Sequence, residues 1–435
     1  MIAPQPLTLQ GNVQAPDGKP ITGARVDIRN GSSEDAVLFD TSSDTDGSFA
    51  FLALPLPPGR YLVHASAVGF EEQDKLFEVK QPASNQALTL TLTLKPAPKE
   101  RGPSSSYTVV RVYYATDRQA ETRKKEIQYL GIRAKDGMLA YGWCDVSIPE
   151  THIIAEIERP SVWKLQFHAD PEKHIILEKV ESEQEDRFFN DVSGMVSTSP
   201  DKDAFVFVHG YNESFESAAI RTAQLAYDFG FKGAPIFYSW PSKGSLLGYI
   251  ADEANVDETV GNLKQFLEDV ANRTGATTVH LIAHSMGNRA LLNAITALAV
   301  DENFKNYAQF GTVVLAAPDV DRDVFIKQIA AIQKPQSKLT LYVSANDQAL
   351  EASHVLFHKE PRAGEGGRDS IVMEGLDTVD VSQLSADALG HSYFADNRTV
   401  VRDLLEFLQG KIPPRPGLTR VPVGTLAYWQ MIPTN

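Results

Sequence analysis

Residues 278–290, Thr-Val-His-Leu-Ile-Ala-His-Ser-Met-Gly-Asn-Arg-Ala, constrain the fold more than any other stretch of the chain. Val279 to Ala283 is a short, mostly apolar run, the pattern of a strand covered on both faces of a parallel sheet. From Met286 onward the spacing turns helical, with Met286, Ala290, Leu291, Ile295 and Leu298 on one stripe. Ser285 stands at the junction, with Ala283 two residues before it and Gly287 two after. A strand that turns directly into a helix leaves room only for small side chains at those two positions. Alanine here replaces the usual first glycine, and a methyl is the smallest departure. Such a turn presents the Ser285 hydroxyl above the sheet and aims the Met286 N–H, at the helix start, toward an oxyanion. The competing reading is a serine that merely caps the helix. Partners further along the chain decide between the two.

The same alternation runs on both sides of this turn. Strands are expected over 204–209, 235–240, 312–317, 339–344, 371–373 and 378–381. Helices are expected over 213–229, 252–273, 321–333, 348–358 and 398–409. Right-handed crossovers between such elements build a mostly parallel sheet with helices on both faces. Tyr107 to Ala115, Ser161 to Phe167 and His174 to Val180 read as an antiparallel start, with Asp117-Arg118 as a turn. The proline-containing segment 411–435 reads as a tail over the surface. Residues 1–95 differ: short period-two runs are broken by Pro16-Asp-Gly, Asn30-Gly, Thr45-Asp-Gly and Pro58-Gly, which implies a small all-β sandwich. Between the two patterns, 96–106 is a polar, proline-stiffened linker. A chain of 435 residues suits this division into a sandwich at 1–95, a linker, an α/β domain at 107–410 and a tail at 411–435.

A serine becomes a useful nucleophile when an imidazole takes its proton and a carboxylate fixes the imidazole's tautomer. In sheets of this kind the chain order is serine, acid, histidine. Asp347 follows the second strand beyond Ser285, and His391 lies in Gly390-His-Ser-Tyr-Phe before the last helix. Asp319, one strand earlier, is the serious rival acid, and its plainer role is to cap helix 321–333. Asp377 and Asp380 fall too near the His391 loop. A second oxyanion donor is expected from the Tyr211 amide, because Val206-Phe-Val-His-Gly-Tyr-Asn is a strand ending in His-Gly. Trp240 and Asn212, after neighbouring strands, are candidates for a substrate pocket. His280 and His284 read as core histidines. His354 and His358 are four apart on a helix but have no third ligand, so neither a metal nor another cofactor is expected. Asp44 and Asp46 read as a turn rather than a calcium loop.

Two resemblances follow from longer stretches. Gly11-Asn-Val…Pro16-Asp-Gly-Lys-Pro-Ile-Thr-Gly-Ala-Arg-Val, Thr45-Asp-Gly-Ser-Phe and Pro58-Gly-Arg-Tyr…Gly69-Phe resemble a prealbumin-like, carboxypeptidase-regulatory domain, where such residues serve turns and core. Phe207-Val-His-Gly-Tyr-Asn-Glu-Ser-Phe, Tyr238-Ser-Trp-Pro-Ser, Leu281-Ile-Ala-His-Ser-Met-Gly-Asn, Ala316-Ala-Pro-Asp-Val-Asp, Ser344-Ala-Asn-Asp-Gln-Ala-Leu and Gly390-His-Ser-Tyr-Phe together resemble a bacterial α/β-hydrolase family long of unknown function, which includes esterases. That resemblance implies an α/β-hydrolase fold over about 107–410 and carries Ser285, Asp347 and His391 over as a triad. The triad and oxyanion residues read as a metal-independent serine carboxylesterase acting on a small ester, and the resemblance leaves the natural substrate open. A lipase or polyester hydrolase docking through the sandwich is the second expectation, and a catalytically idle binding protein the third.

The formal charge of −15 argues against nucleic acid as a partner, since phosphate binding needs a surplus of Lys and Arg. Cys144 is the only cysteine, so no internal disulfide can form. No apolar run long enough to span a membrane occurs. The first residues show neither the basic nor the apolar region of an export signal, which reads as cytoplasmic. Removal of such a signal would leave the same start, and with it a periplasmic or secreted protein. Oligomeric state leaves no mark on the sequence.

Overall fold

The structure, a computed structural model, describes all residues except 1–6, 22–23, 31–36, 45, 55, 68–69, 71–72, 80–86, 96–105, 124–125, 159–169, 244–248, 335–337, 348–349, 351–359, 368–369, 385–392 and 433–435. The expected strand at 161–167 and nearly all of the expected helix 348–358 therefore lie outside the described residues, as does His391. The chain divides into two compact units, Met1–Ser104 and Ser105–Asn435.

The first unit holds strands β1 (Leu7–Gln14), β2 (Arg25–Arg29), β3 (Val37–Ser42), β4 (Ser48–Leu54), β5 (Gly59–Ser66), β6 (Gln73–Val79) and β7 (Ala87–Thr93). They form two sheets, ordered β4-β1-β7 and β3-β2-β5-β6. Alternate residues such as Leu9, Val13, Val26, Ile28, Phe49, Phe51 and Val63 fill one core, as the period-two pattern requires. Gly11 is imposed by packing: a Cβ there would lie 2.0 Å from the Leu90 carbonyl oxygen and 2.7 Å from the Phe49 ring.

The second unit is built on one sheet of eleven described strands, ordered β12-β11-β8-β14-β13-β15-β16-β17-β18-β20-β19. Its antiparallel start is β8 (Tyr107–Thr116), β11 (Ala140–Pro149) and β12 (Ile176–Glu183). A separate hairpin, β9 (Arg118–Arg123) and β10 (Glu126–Arg133), leaves the end of β8. Then come β13 (Asp203–Val208), β14 (Ala234–Ser239), β15 (Thr278–His284), β16 (Thr312–Ala316), β17 (Lys338–Val343) and β18 (Leu376–Asp380), all parallel. Helices α1 (Glu185–Thr198), α2 (Phe215–Asp228), α3 (Tyr249–Glu258), α4 (Val260–Arg273), α5 (Gly287–Val300), α6 (Arg322–Ile332) and α7 (Arg398–Leu408) cover it. One face packs Phe188, Phe266, Leu291, Ile295 and Phe325 against Leu281 and Ala283, and the other packs Phe215, Ala219, Leu404 and Phe407 with Ile282. Burial on both faces explains why these strands read as continuous apolar runs.

Three expectations change. The expected strand at 371–373 is irregular backbone, and the strand of that region is β18 alone. Residues 252–273 are two helices, α3 and α4, meeting at Thr259. Its backbone stays helical while its hydroxyl donates to Asp117 and lies 2.8 Å from Tyr238 Oη. The segment after 411 does not simply run over the surface. It forms β19 (Leu418–Val423) and β20 (Leu426–Met431), an antiparallel hairpin whose β20 pairs with β18 and extends the sheet. The cause is a buried ion pair: Arg415 Nε and Nη2 donate to the Asp403 carboxylate of α7 at 2.7 and 2.9 Å, and Tyr342 Oη donates to it at 2.6 Å. A fork-on-carboxylate pair of this kind fixes direction as well as position.

Candidate active site

The turn from β15 to α5 lies at the carboxyl edge of the parallel strands. Ser285 has φ +51°, a left-handed backbone that a residue with a Cβ adopts only under constraint. Its N–H donates to the Ala316 carbonyl of β16 at 3.0 Å, and its carbonyl accepts from the Asn288 amide at 3.1 Å. Asn288 Nδ2 then bridges the Ser285 and Ala316 carbonyls, 3.0 Å from each, so a buried side chain staples the turn to the next strand. A Cβ on Gly287 would lie 2.3 Å from the His209 carbonyl oxygen, and one on Gly210 would lie 2.9 Å from Ser285 Cβ. The two glycines are thus required by one close crossing of the β13 end over the turn. Ala283 is buried, its methyl accommodated in the core. Met286 is buried at the start of α5, where unpaired helix N–H groups collect.

The loop leaving β13 is His209-Gly210-Tyr211-Asn212. Tyr211 is half-buried with its ring edge against Tyr249, and Asn212 is exposed at φ +60°. Trp240 is fully buried. It stacks on His209 at 5.0 Å between ring centroids and donates from Nε1 to the His209 carbonyl at 2.8 Å, so its ring is engaged in holding the loop. His209 Nε2 lies 3.2 Å from both Arg118 Nη2 and the Trp240 carbonyl. Because a guanidinium can only donate, Nε2 accepts from Arg118 and the Nδ1–H donates to the Gly210 carbonyl at 2.9 Å. Burial first, then the Arg118 charge, pushes the His209 pKa down to about 3, so the ring is neutral at ordinary pH.

Asp117 and Arg118, expected as a turn, carry more than a turn requires. Both are buried. Asp117 accepts from Thr259, Tyr238 and Asn262, and its burial raises its pKa. Arg118 donates from Nε to Ser239 Oγ at 2.8 Å, from Nη1 to the Ser242 carbonyl at 3.1 Å and from Nη2 to the Glu213 carbonyl at 2.8 Å. A charged pair directly after the buried end of β8, Val112 to Thr116, is the local signal for them.

Asp347 lies just beyond the end of β17, two strands from β15. It is buried and accepts the Leu350 amide at 3.0 Å. Asp319, after β16, is also buried but is held by Arg362 Nε at 2.7 Å and by Tyr249 Oη at 2.7 Å. Capping of α6 falls to Asp321, which accepts the Asp323 and Val324 amides, and not to Asp319. Although His391 lies outside the described residues, Phe394 three positions later stacks on His284, the neighbour of Ser285, at 4.6 Å. His280 lies two turns of pleat down β15, bonded to Thr312. His354 and His358 lie outside the described residues. Among the described residues no three His, Cys, Asp or Glu side chains are grouped to hold a metal ion. Nor, among those residues, is any helix long and apolar enough to cross a membrane.

No curated protein matches the chain. Similar solved structures include a chlorocatechol 1,2-dioxygenase from Pseudomonas putida, at 11% identity over 21% of this chain and 60% of that one, with a TM-score of 0.17. Another is wild-type catechol 1,2-dioxygenase from Acinetobacter radioresistens, at 13% identity over 23% and 56% with a TM-score of 0.18. The chain thus spans 56–60% of the length of these two enzymes, and likeness at that level has no bearing on the site. Residues 8–95 match the carboxypeptidase regulatory-like domain. Residues 184–407, just over half of the chain and including Ser285, match the family described as alpha/beta hydrolase of unknown function (DUF900), and the protein belongs to that family.

Proposed function

We propose that the protein is a serine carboxylesterase that hydrolyses small carboxylic esters through an acyl-enzyme on Ser285. The observation that carries the reading is the left-handed backbone of Ser285 between strand and helix, crossed at close range by Gly210. Strain at such a position is worth keeping only if the side chain needs that exact outward direction. His391 takes the Ser285 proton as Oγ bonds to the ester carbonyl carbon. Asp347 holds the imidazole in the tautomer that can accept it. The Met286 and Tyr211 amides receive the oxyanion, and the start of α5 adds its partial positive charge. Collapse of the tetrahedral intermediate breaks the ester C–O bond, and the proton on His391 goes to the departing alcohol. Water, deprotonated by the same imidazole, then attacks the acyl carbon and releases the acid and Ser285. Esters are favoured over amides because an alkoxide leaves more readily than an amide nitrogen.

The test is a panel of p-nitrophenyl esters of increasing chain length, combined with a fluorophosphonate probe and peptide mapping. The expected result is turnover of short-chain esters and labelling confined to Ser285. Well-folded protein that neither turns over esters nor labels at Ser285 would overturn the reading in favour of an idle hydrolase fold. Preference for long-chain or polymeric esters would move it to a lipase or polyester hydrolase.

A further inference from the structure

We propose that Arg118 is a positioning residue for the second oxyanion donor: acting through His209, it sets the plane of the Gly210–Tyr211 peptide and hence the direction of the Tyr211 N–H. The inference rests on the reading of Ser285 as nucleophile, and Arg118 itself lies outside the residues that match the hydrolase family.

Four hydrogen bonds carry the argument. The guanidinium reaches the end of β14 at Ser239, the following loop at Ser242, the end of β13 at His209 and the entry to α2 at Glu213. One nitrogen, Nη2, serves both His209 and Glu213, which are the two ends of the loop that contains Gly210 and Tyr211. The opposite side of the His209 ring holds the Gly210 carbonyl oxygen. Because a peptide unit is planar and trans, its C=O and N–H point in opposite directions. Fixing the carbonyl toward the imidazole therefore fixes the Tyr211 N–H on the other side. A Cβ on Gly210 would lie 2.9 Å from Ser285 Cβ, so this peptide borders the serine itself.

A cation that only cements a fold is normally buried with a carboxylate, because an unpaired buried charge is costly. Among the described residues no carboxylate lies within ion-pair distance of Arg118, and Asp117, Asp252 and Glu213 act on it only through charge at longer range. Its hydrogen-bond acceptors are two carbonyls, a hydroxyl and a neutral imidazole. Such a planar fork with several fixed N–H directions holds acceptors at set angles, which a lysine cannot reproduce.

The experiment compares Arg118→Met and Arg118→Lys with Asp117→Asn, each by thermal melting and by kcat and KM on a short p-nitrophenyl ester. Rates are expressed per serine titrated with fluorophosphonate. Asp117 belongs to the same junction and acts on Arg118 through charge alone, while its hydrogen bonds go to Thr259, Tyr238 and Asn262, away from Gly210. Losing one oxyanion donor costs ~10²–10³ in kcat, so both Arg118 variants should fall by about that factor with KM changed less than about threefold. Asp117→Asn should keep kcat within about threefold of wild type, a bound set by comparison with the same donor loss. Arg118 variants that match wild type per titrated serine, or an Asp117 variant that falls as far as they do, would overturn the proposal. If Arg118→Met does not fold, Arg118→Lys decides, since it retains the stem and the charge. Wild-type protein that does not label at Ser285 would remove the esterase reading and this inference together, an outcome distinct from labelled protein indifferent to Arg118.

Discussion

Two buried arginines of the same unit are held in opposite ways. Arg415 meets a carboxylate, Asp403, in a bidentate pair that raises its pKa through that hydrogen bond despite burial. Arg118 meets only neutral acceptors around the β13 and β14 ends, and burial lowers its pKa to about 10. The first cation joins the C-terminal hairpin to α7; the second surrounds the loop beside Ser285. A charge matched by an opposite charge serves cohesion. A charge whose direct partners are dipoles can aim those dipoles, and on the proposed function this separates a structural end of the sheet from a chemical one.

That contrast can be broken from either side. At the chemical end, Ser285→Ala should lower ester turnover by ~10⁴ or more, by the scale of triad deletions, while the melting temperature holds or rises. Activity surviving at a tenth of wild type would place the chemistry elsewhere. Asp347→Asn should lose ~10³–10⁴ in kcat with little loss of stability, as expected of an acid that orients a histidine. Asp319→Asn should do the reverse, since it leaves the Arg362 guanidinium buried against a neutral amide. Kinetics and melts on the two variants side by side check this, and an exchange of their effects would transfer the acid's role to Asp319.

At the structural end, Arg415→Met should cost about 3–5 kcal/mol in denaturant unfolding, because Asp403 stays buried without its partner. Its kcat, measured well below the melting temperature, should be unchanged; a fall in kcat matching that of the Arg118 variants would erase the distinction. The smallest effect concerns a cation that pH can remove. His152 is buried between Glu158, at 2.9 Å, and Asp228, at 2.8 Å. Burial alone would lower its pKa, but the two carboxylates outweigh it and raise the value to about 9. The imidazolium thus contributes fully below its unfolded value near pH 6.5, and the contribution is lost as pH rises through about 9. Unfolding free energy should therefore drop by up to ~3 kcal/mol between pH 6.5 and 10, and His152→Gln should flatten that slope.

What could be read in advance follows the range of the forces. The turn at 285 is local: its small residues, its apolar strand and its helical stripe lie within about a dozen positions, so pattern alone exposes it. The parallel strands were legible for the same reason. Strand β11 was not, because Gly142 and Asp145 interrupt its pattern. Gly142 is there because a Cβ would lie 1.9 Å from the Glu181 carbonyl oxygen, a demand set by a neighbour far along the chain. Arg118 was illegible on the same grounds: its partners at 209, 213, 239 and 242 come together only in the folded sheet. The hairpin after 411 is not legible in advance because prolines crowd its approach at 413, 414 and 416, while its anchor is one arginine meeting one aspartate 12 residues earlier.

The backbone at Ser285 also bears on how such a protein can change over time. A glycine would accept φ +51° without a Cβ in the way, so on the proposed role of Ser285 the substitution that ends the chemistry would also relax the turn. Robustness and reactivity are therefore opposed at this one codon. Lineages released from the need for turnover would be expected to drift there first, keeping the architecture and losing the reagent.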